Sequence, residues 1–236
     1  MSRKEAFKFD SGVVLYPFLF GLTIWLVYWF ELRFGFDFTS FGVYPRTLSG
    51  LKGVVFSPFI HSSIEHLYNN TFPLLILSMA LFYFYSNVSW KVILYGMLSS
   101  GILTWIIGRE AYHIGASGII YMLSSFIFFR GIFAGYYRLV AVSLIVVFLY
   151  GSLVWYVFPV DSSISWEGHL AGFLTGFVFS FFFKEKLPVK RKYQWETEGF
   201  KEEQDPFLKH FDEDGNFVPT SELERRMREE EEDQTP

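Results

Sequence analysis

Long apolar runs alternate with short polar breaks over the first 183 residues, and the pattern then stops. A helix needs about 20 mostly apolar residues to cross the hydrocarbon of a bilayer, and fewer where neighbours shelter it. Six segments qualify or nearly do: Val13–Phe30, Leu67–Phe84, Val92–Ile107, Ser117–Phe129, Leu139–Val157 and His169–Phe183. The fourth is short. About 35 residues join the first to the second and are apolar for a connection ("FDFTSFGVYPRTLSGLKGVVFSPFI"); long ordered connections are uncommon and often functional. This one is expected to rest in the membrane interface without crossing. The pattern predicts an all-α membrane protein, a six-transmembrane helix bundle with a long first loop over residues 12–183. A short N-terminal segment (1–11) precedes it, and a tail (184–236) follows.

Composition sharpens the division. The chain is 51% hydrophobic and 22% aromatic, with 30 Phe, beyond the apolar share of an ordinary soluble domain. Ten Lys/Arg and eight Asp/Glu fall in residues 1–183, against ten and sixteen in residues 184–236. The net charge of −4 is therefore set by the tail. Without Cys, the chain excludes disulfides, thiol catalysis and Cys-ligated metal. "MSRKEAFKFDSGVV" has a basic start but no cleavage pattern, so the first apolar run is expected to be retained.

Lys and Arg near span ends orient the bundle. With the N-terminus inside, the inner side carries Arg3, Lys4, Lys8, Lys91, Arg130, Arg138 and the cluster Lys184, Lys186, Lys190, Arg191 and Lys192. The outer side carries only Arg33, Arg46, Lys52 and Arg109. Both termini are thus expected in the cytoplasm, and even-numbered spans start in the outer leaflet. The costly polar residues then converge. "HSSIEHLYNN" opens span two with His61, His66, Asn69 and Asn70; "GASG" opens span four with Ser117; "WEGHLAGFLTGF" opens span six with His169. All fall at one predicted depth, and intramembrane polar groups point to function by default.

Spacing suggests roles. His66 and Asn70 share a helical face, as do Ser117 and Tyr121. Gly168, Gly172 and Gly176 form a small-residue stripe that would bring span six close to a neighbour. If that neighbour is span four, His169 reaches Ser117, with Gly115 and Gly118 as the matching small surfaces. A serine needs a base to take its proton, and a neutral imidazole suits that task; His169 is the candidate. His66, Asn70 and the unsatisfied backbone N–H of Ser117 could stabilise an oxyanion. Tyr121 could hold the His169 ring by stacking. Neither Glu65 nor Glu167 is placed by sequence to orient His169, so a dyad fits better than a triad. Water would reach Ser117 through a polar well left by "REAYHIGA", with residues 158–168 as its cover.

These three motifs, in order, resemble the rhomboid intramembrane serine proteases over about residues 12–183. His61, His66 and Asn70 match the family's two-histidine-and-asparagine spacing; "GASG", with Tyr121 beyond it, matches Gly-x-Ser-Gly; "GHLAGFLTG" resembles the helix-six motif. The resemblance implies Ser117 as nucleophile and His169 as base. It also implies an oxyanion hole of His66, Asn70 and the Ser117 backbone, with His61, Tyr121, Gly115, Gly118 and Gly172 in support. "FGVYPR" resembles the first-loop region that ends in an arginine, which makes Arg46 a candidate anchor. It implies substrates that are single-span membrane proteins cut near the outer face, and no metal or organic cofactor. A bacterial plasma membrane is the expected location, with the lipid bilayer as partner and no nucleic acid.

Each motif has a plainer reading. "GASG" alone suits helix packing, and Asn69 with Asn70 suits interhelical hydrogen bonding. His113 reads as a loop residue, and Glu65, Glu110 and Glu167 as solvated loop charges. A non-catalytic rhomboid-like scaffold would keep the fold but typically lose Ser117 or His169. A transporter using His66, Asn70 and His169 as a relay would lack the usual deep charge. In the tail, "DEDGNF" lacks a calcium-ligand ladder and reads as a solvated turn. "TSELERRMREEEED" opens with a capping box (Ser221 with Glu224) and predicts a short helix in an otherwise disordered segment.

Overall fold

The computed structural model describes residues 7–161, 164–187, 193–202 and 205–233. Arg3, Lys4, Lys190, Arg191 and Lys192 of the charge argument, and Ser162 and Ser163 of the expected cover, fall outside the described residues. The chain divides into two compact units, Met1–Pro188 and Val189–Pro236.

In the first unit the helices are α1 (Gly12–Phe34), α2 (Gly53–Phe56), α3 (Ile64–Phe84), α4 (Ser89–Ile107), α5 (Ser117–Ala134), α6 (Tyr137–Tyr150) and α7 (Trp166–Phe182). Among the described residues, five stretches are long and apolar enough to cross a membrane: α1, α3, α4, α5, and α6 with the 3-10 turns that extend it to Val157. Large apolar side chains such as Phe18, Leu26, Phe148 and Phe182 face outward, as lipid contact requires and as a soluble surface would not tolerate over so wide an area. No β-sheet occurs among the described residues; only isolated bridges do.

Local chemistry sets the ends. Gly35 and Gly135 adopt left-handed backbone (φ +70° and +62°) and stop α1 and α5. The Ser63 hydroxyl accepts the His66 backbone N–H (3.1 Å) and so caps α3. The first connection folds into short helical turns at Thr39–Phe41, Ser49–Lys52, α2 and Ser57–Phe59. Its Val43 exchanges backbone hydrogen bonds with His113 (3.0 and 2.9 Å).

The center of the unit is α5, packed most extensively on α7 and also on α3, α4 and α6. Leu123, Phe126 and Ile127 of α5 are fully enclosed. Small residues let α7 close in: a Cβ on Gly172 would overlap the Gly118 carbonyl, and one on Gly176 the Met122 carbonyl. Ser125 Oγ donates to the Phe173 carbonyl (2.8 Å) across the same seam.

Two expectations need correction. Span four does not end at Phe129; α5 runs to Ala134. The expected boundary came from placing Arg130 as a flanking cytoplasmic charge. Arg130 is instead buried within α5 and forms a bidentate pair with Glu185 (Nε–Oε2 2.6 Å, Nη2–Oε1 3.1 Å), which removes the penalty that would have stopped the helix. Glu167 is likewise no solvated loop charge: it is 2% exposed and pairs with Arg109.

The second unit contains a tight turn in which Asp212 Oδ1 accepts the Asp214 and Asn216 N–H groups (3.1 and 2.7 Å) between the bridged Phe211 and Phe217. Beyond it, α8 spans Thr220–Asp233.

Candidate active site

The start of α3 presents one polar face. His66 and Asn70 stand one turn apart, and Ser62 Oγ meets His66 Nδ1 at 3.3 Å. With Ser62 as donor to Nδ1, the His66 proton sits on Nε2. Asn70 is buried and its Nδ2 has no hydrogen-bond partner among the described residues, an unused donor where burial makes unused donors costly. His61, just before the helix, is 3% exposed and packs edge-on to His66 with ring centroids 5.0 Å apart. Burial, and secondarily the neighbouring His66, lower its pKa from 6.5 to about 4.

The second component is the turn into α5. Gly115 adopts φ +106°, outside the comfortable range of other residues, and its N–H donates to the Ser57 carbonyl (2.9 Å). A Cβ at this position would lie 2.7 Å from His66 Nε2 and 3.6 Å from Asn70 Nδ2. The glycine therefore brings the backbone leading to Ser117 directly onto those two groups. Ser117 is the first residue of α5, so its N–H has no partner within the helix, and the helix dipole favours negative charge there.

The third component is the first turn of α7. His169 Nδ1 lies 3.0 Å from the Tyr156 carbonyl. A carbonyl can only accept, so Nδ1 carries the proton and Nε2 keeps its lone pair. The Tyr121 ring stacks on His169 at 4.2 Å and 9°, and Tyr121 Oη donates to the Leu153 carbonyl (2.8 Å). Among the described residues no hydrogen bond joins Ser117 Oγ to His169. Ser117, His169, His66, Asn70 and Tyr121 all line one cavity of about 640 Å³.

Gly118 and Gly172 form the close seam already described. Arg46 sits elsewhere: at φ +57° its Nη1 donates to the Gly108 carbonyl (2.6 Å), binding the first loop to the end of α4. Among the described residues, no three His, Asp or Glu side chains gather as a metal site would need.

Sequence reasoning missed a polar network beside the cavity. Glu167 Oε2 pairs with Arg109 Nη1 (3.0 Å), and its Oε1 accepts the Arg109 N–H (3.2 Å). His113 is buried, bonds Ser165 Oγ through Nδ1 and donates Nε2–H to the Arg109 carbonyl (3.1 Å). Burial lowers the His113 pKa. Arg109 and Glu167, like His113 and Ser165, are more than 50 residues apart in sequence, so no local spacing announces these pairs.

Apolar helices of membrane length around a polar cavity define an integral membrane protein. Its Rhomboid domain spans residues 49–186, and the chain belongs to the rhomboid family, whose members are generally intramembrane serine proteases. The uncharacterized protein Rv1337 of Mycobacterium tuberculosis is 33% identical over 150 residues, covering 59% of this chain and 62% of the relative. The uncharacterized protein ML1171 of Mycobacterium leprae is 31% identical over 149 residues, covering 56% and 55%. The chain thus spans less than two thirds of the length of these relatives.

Proposed function

We propose that this chain is a serine endopeptidase that cuts single-span membrane proteins near the outer membrane face. One observation carries the reading: Gly115 seats the Ser117 turn on His66 Nε2 and on the buried Asn70 Nδ2, which has no hydrogen-bond partner among the described residues. This closeness supports a pair of side-chain donors next to the turn that carries Ser117 at a helix start, the arrangement an oxyanion needs.

In this mechanism Ser117 Oγ attacks the substrate carbonyl carbon while His169 Nε2 takes its proton. The Tyr156 carbonyl holds the tautomer, the task a carboxylate performs in a triad. The negative oxygen is met by Asn70 Nδ2–H, His66 Nε2–H and the Ser117 N–H. His169 returns the proton to the leaving amine, and the C–N bond breaks to leave an acyl-Ser117 ester. Water, deprotonated by His169, then hydrolyses that ester and restores the enzyme. Tyr121 keeps the imidazole face in place through both steps.

The proposed topology has six crossings with both termini cytoplasmic, in a bacterial plasma membrane. At 17 residues α7 is shorter than a free-standing span, but its burial against α4 and α5 supports a sheltered crossing. The mycobacterial source of the relatives supports the location. A fluorophosphonate probe on purified protein tests the reading. Wild type is expected to be labelled and Ser117→Ala not; equal labelling of the two removes Ser117 as nucleophile. His169→Ala should abolish cleavage of a model membrane substrate.

A further inference from the structure

Resting on the protease reading above, we infer that Arg109 and Glu167, together with His113 and Ser165, are positioning residues that set His169 against Ser117. The two halves of the dyad arrive on separate segments. Residues 108–116 lead into Ser117, and residues 164–168 lead into His169. Polar contacts cross between these segments. The Glu167 carboxylate takes one from the Arg109 guanidinium and one from the Arg109 N–H. Arg109 Nη2 donates to the Ile164 carbonyl (2.9 Å), and His113 bonds Ser165 Oγ. His113 in turn holds Arg109 through its carbonyl and is itself held by the Val43 backbone.

Stability alone is a weak account of such a network. Burying a carboxylate incurs a large desolvation cost, and a well-packed apolar pair is often as stable or more so. Directionality is what an ion pair with two hydrogen bonds adds. The Gly118–Gly172 contact fixes how closely α5 and α7 approach. That contact and the one at Gly176 lie beyond the first turn of α7, which carries His169. Glu167 lies two residues before His169 on that turn, and no hydrogen bond joins Ser117 to His169 among the described residues. The Arg109–Glu167 connection therefore anchors the turn that carries His169, in addition to the Tyr121 stack and the Tyr156 carbonyl that hold the ring itself.

Glu167→Gln keeps the side-chain size and removes the charge. In full-length purified protein, kcat and KM for a model transmembrane substrate are measured separately, with fluorophosphonate labelling rate and thermal stability alongside. The expected result is a kcat loss on the order of 10²-fold, the scale of a small misplacement of catalytic groups. KM should stay within about twofold, and the labelling rate should fall in parallel with kcat. Arg109→Lys should recover more kcat than Arg109→Gln. The Arg109→Gln, Glu167→Gln double variant should be no slower than the worse single, because the two residues act as one unit. Wild-type kcat in Glu167→Gln, or multiplicative losses in the double variant, overturn the inference. If Glu167→Gln does not fold, Ser165→Ala deletes one hydroxyl on the same bridge, and an unchanged kcat there overturns it equally. A wild type that neither cleaves nor labels overturns the protease reading itself; a labelled wild type with full-speed variants overturns only the positioning role.

Discussion

Single residues at this site differ in what their loss should cost. Asn70 Nδ2 has no hydrogen-bond partner among the described residues, so, under the proposed mechanism, Asn70→Ala should leave thermal stability nearly unchanged while lowering kcat by about 10²–10³-fold, the effect of removing one oxyanion donor. Gly115→Ala should damage both. It forces a side chain into φ +106° and drives a Cβ against His66, and residues held in such backbone cost about 1–3 kcal/mol. His61 gives a third signature. Its pKa falls from 6.5 in the unfolded chain to about 4 when buried. Between those values the unfolded state binds the extra proton, so stability declines as pH drops from about 6.5 toward 4 and is intact above that range. Wild type should lose stability relative to His61→Phe as pH falls across this window; parallel denaturation curves would exclude the effect. The grouping of His66, Asn70 and Ser117 around one cavity was legible because each motif is local, within one or two helical turns. Glu167 was misread because its partner Arg109 is 58 residues away.

At the scale of elements, the seam between α5 and α7 matters most. Gly172→Ala would push its Cβ into the Gly118 carbonyl and force the helices apart. Both melting temperature and labelling rate should fall, in contrast to the activity-selective loss expected of Glu167→Gln. Retained stability and labelling in Gly172→Ala would show that the seam yields freely. Helix existence and approximate extent followed from the apolar runs. The end of α5 did not, because a lone Arg in an apolar run reads as a flank until its partner is seen. The polar turn from Gly108 to Ala116 had no period to read at all; its path is set by Val43, Ser57 and Glu167, all distant in sequence.

For the whole molecule, the exit from the bundle is as firmly held as its center. Arg130 grips Glu185 from α5, while the Asn87 amide donates to the Lys184 carbonyl (3.2 Å) and accepts the Lys186 N–H (3.3 Å). Breaking a buried ion pair from one side costs about 3–5 kcal/mol, so Arg130→Met should lower thermal stability strongly. Truncation after Pro188, where the two compact units divide, should leave probe labelling intact, whereas truncation after Phe183 should not. Equal labelling of both truncations would refute a structural role for this strap. The charge shift near residue 184 made the tail visible in sequence; the anchoring of its first residues to α5 and to Asn87 was not, because those contacts span 55 and more residues.

The α5–α7 seam has a consequence for the surrounding lipid. Its contacts recur at Gly118 with Gly172 and at Met122 with Gly176, a repeat of four residues on each helix. Backbone seated in backbone does not slide by a fraction; the next register is a full turn away, about 5.4 Å. A thinner or thicker bilayer changes helix tilt at a modest cost per ångström. Such strain should therefore move α5 and α7 as one body and be absorbed at their outer partners. Catalysis in vesicles of different acyl-chain length should consequently vary through substrate entry, seen in KM, while the rate of the bound complex stays level.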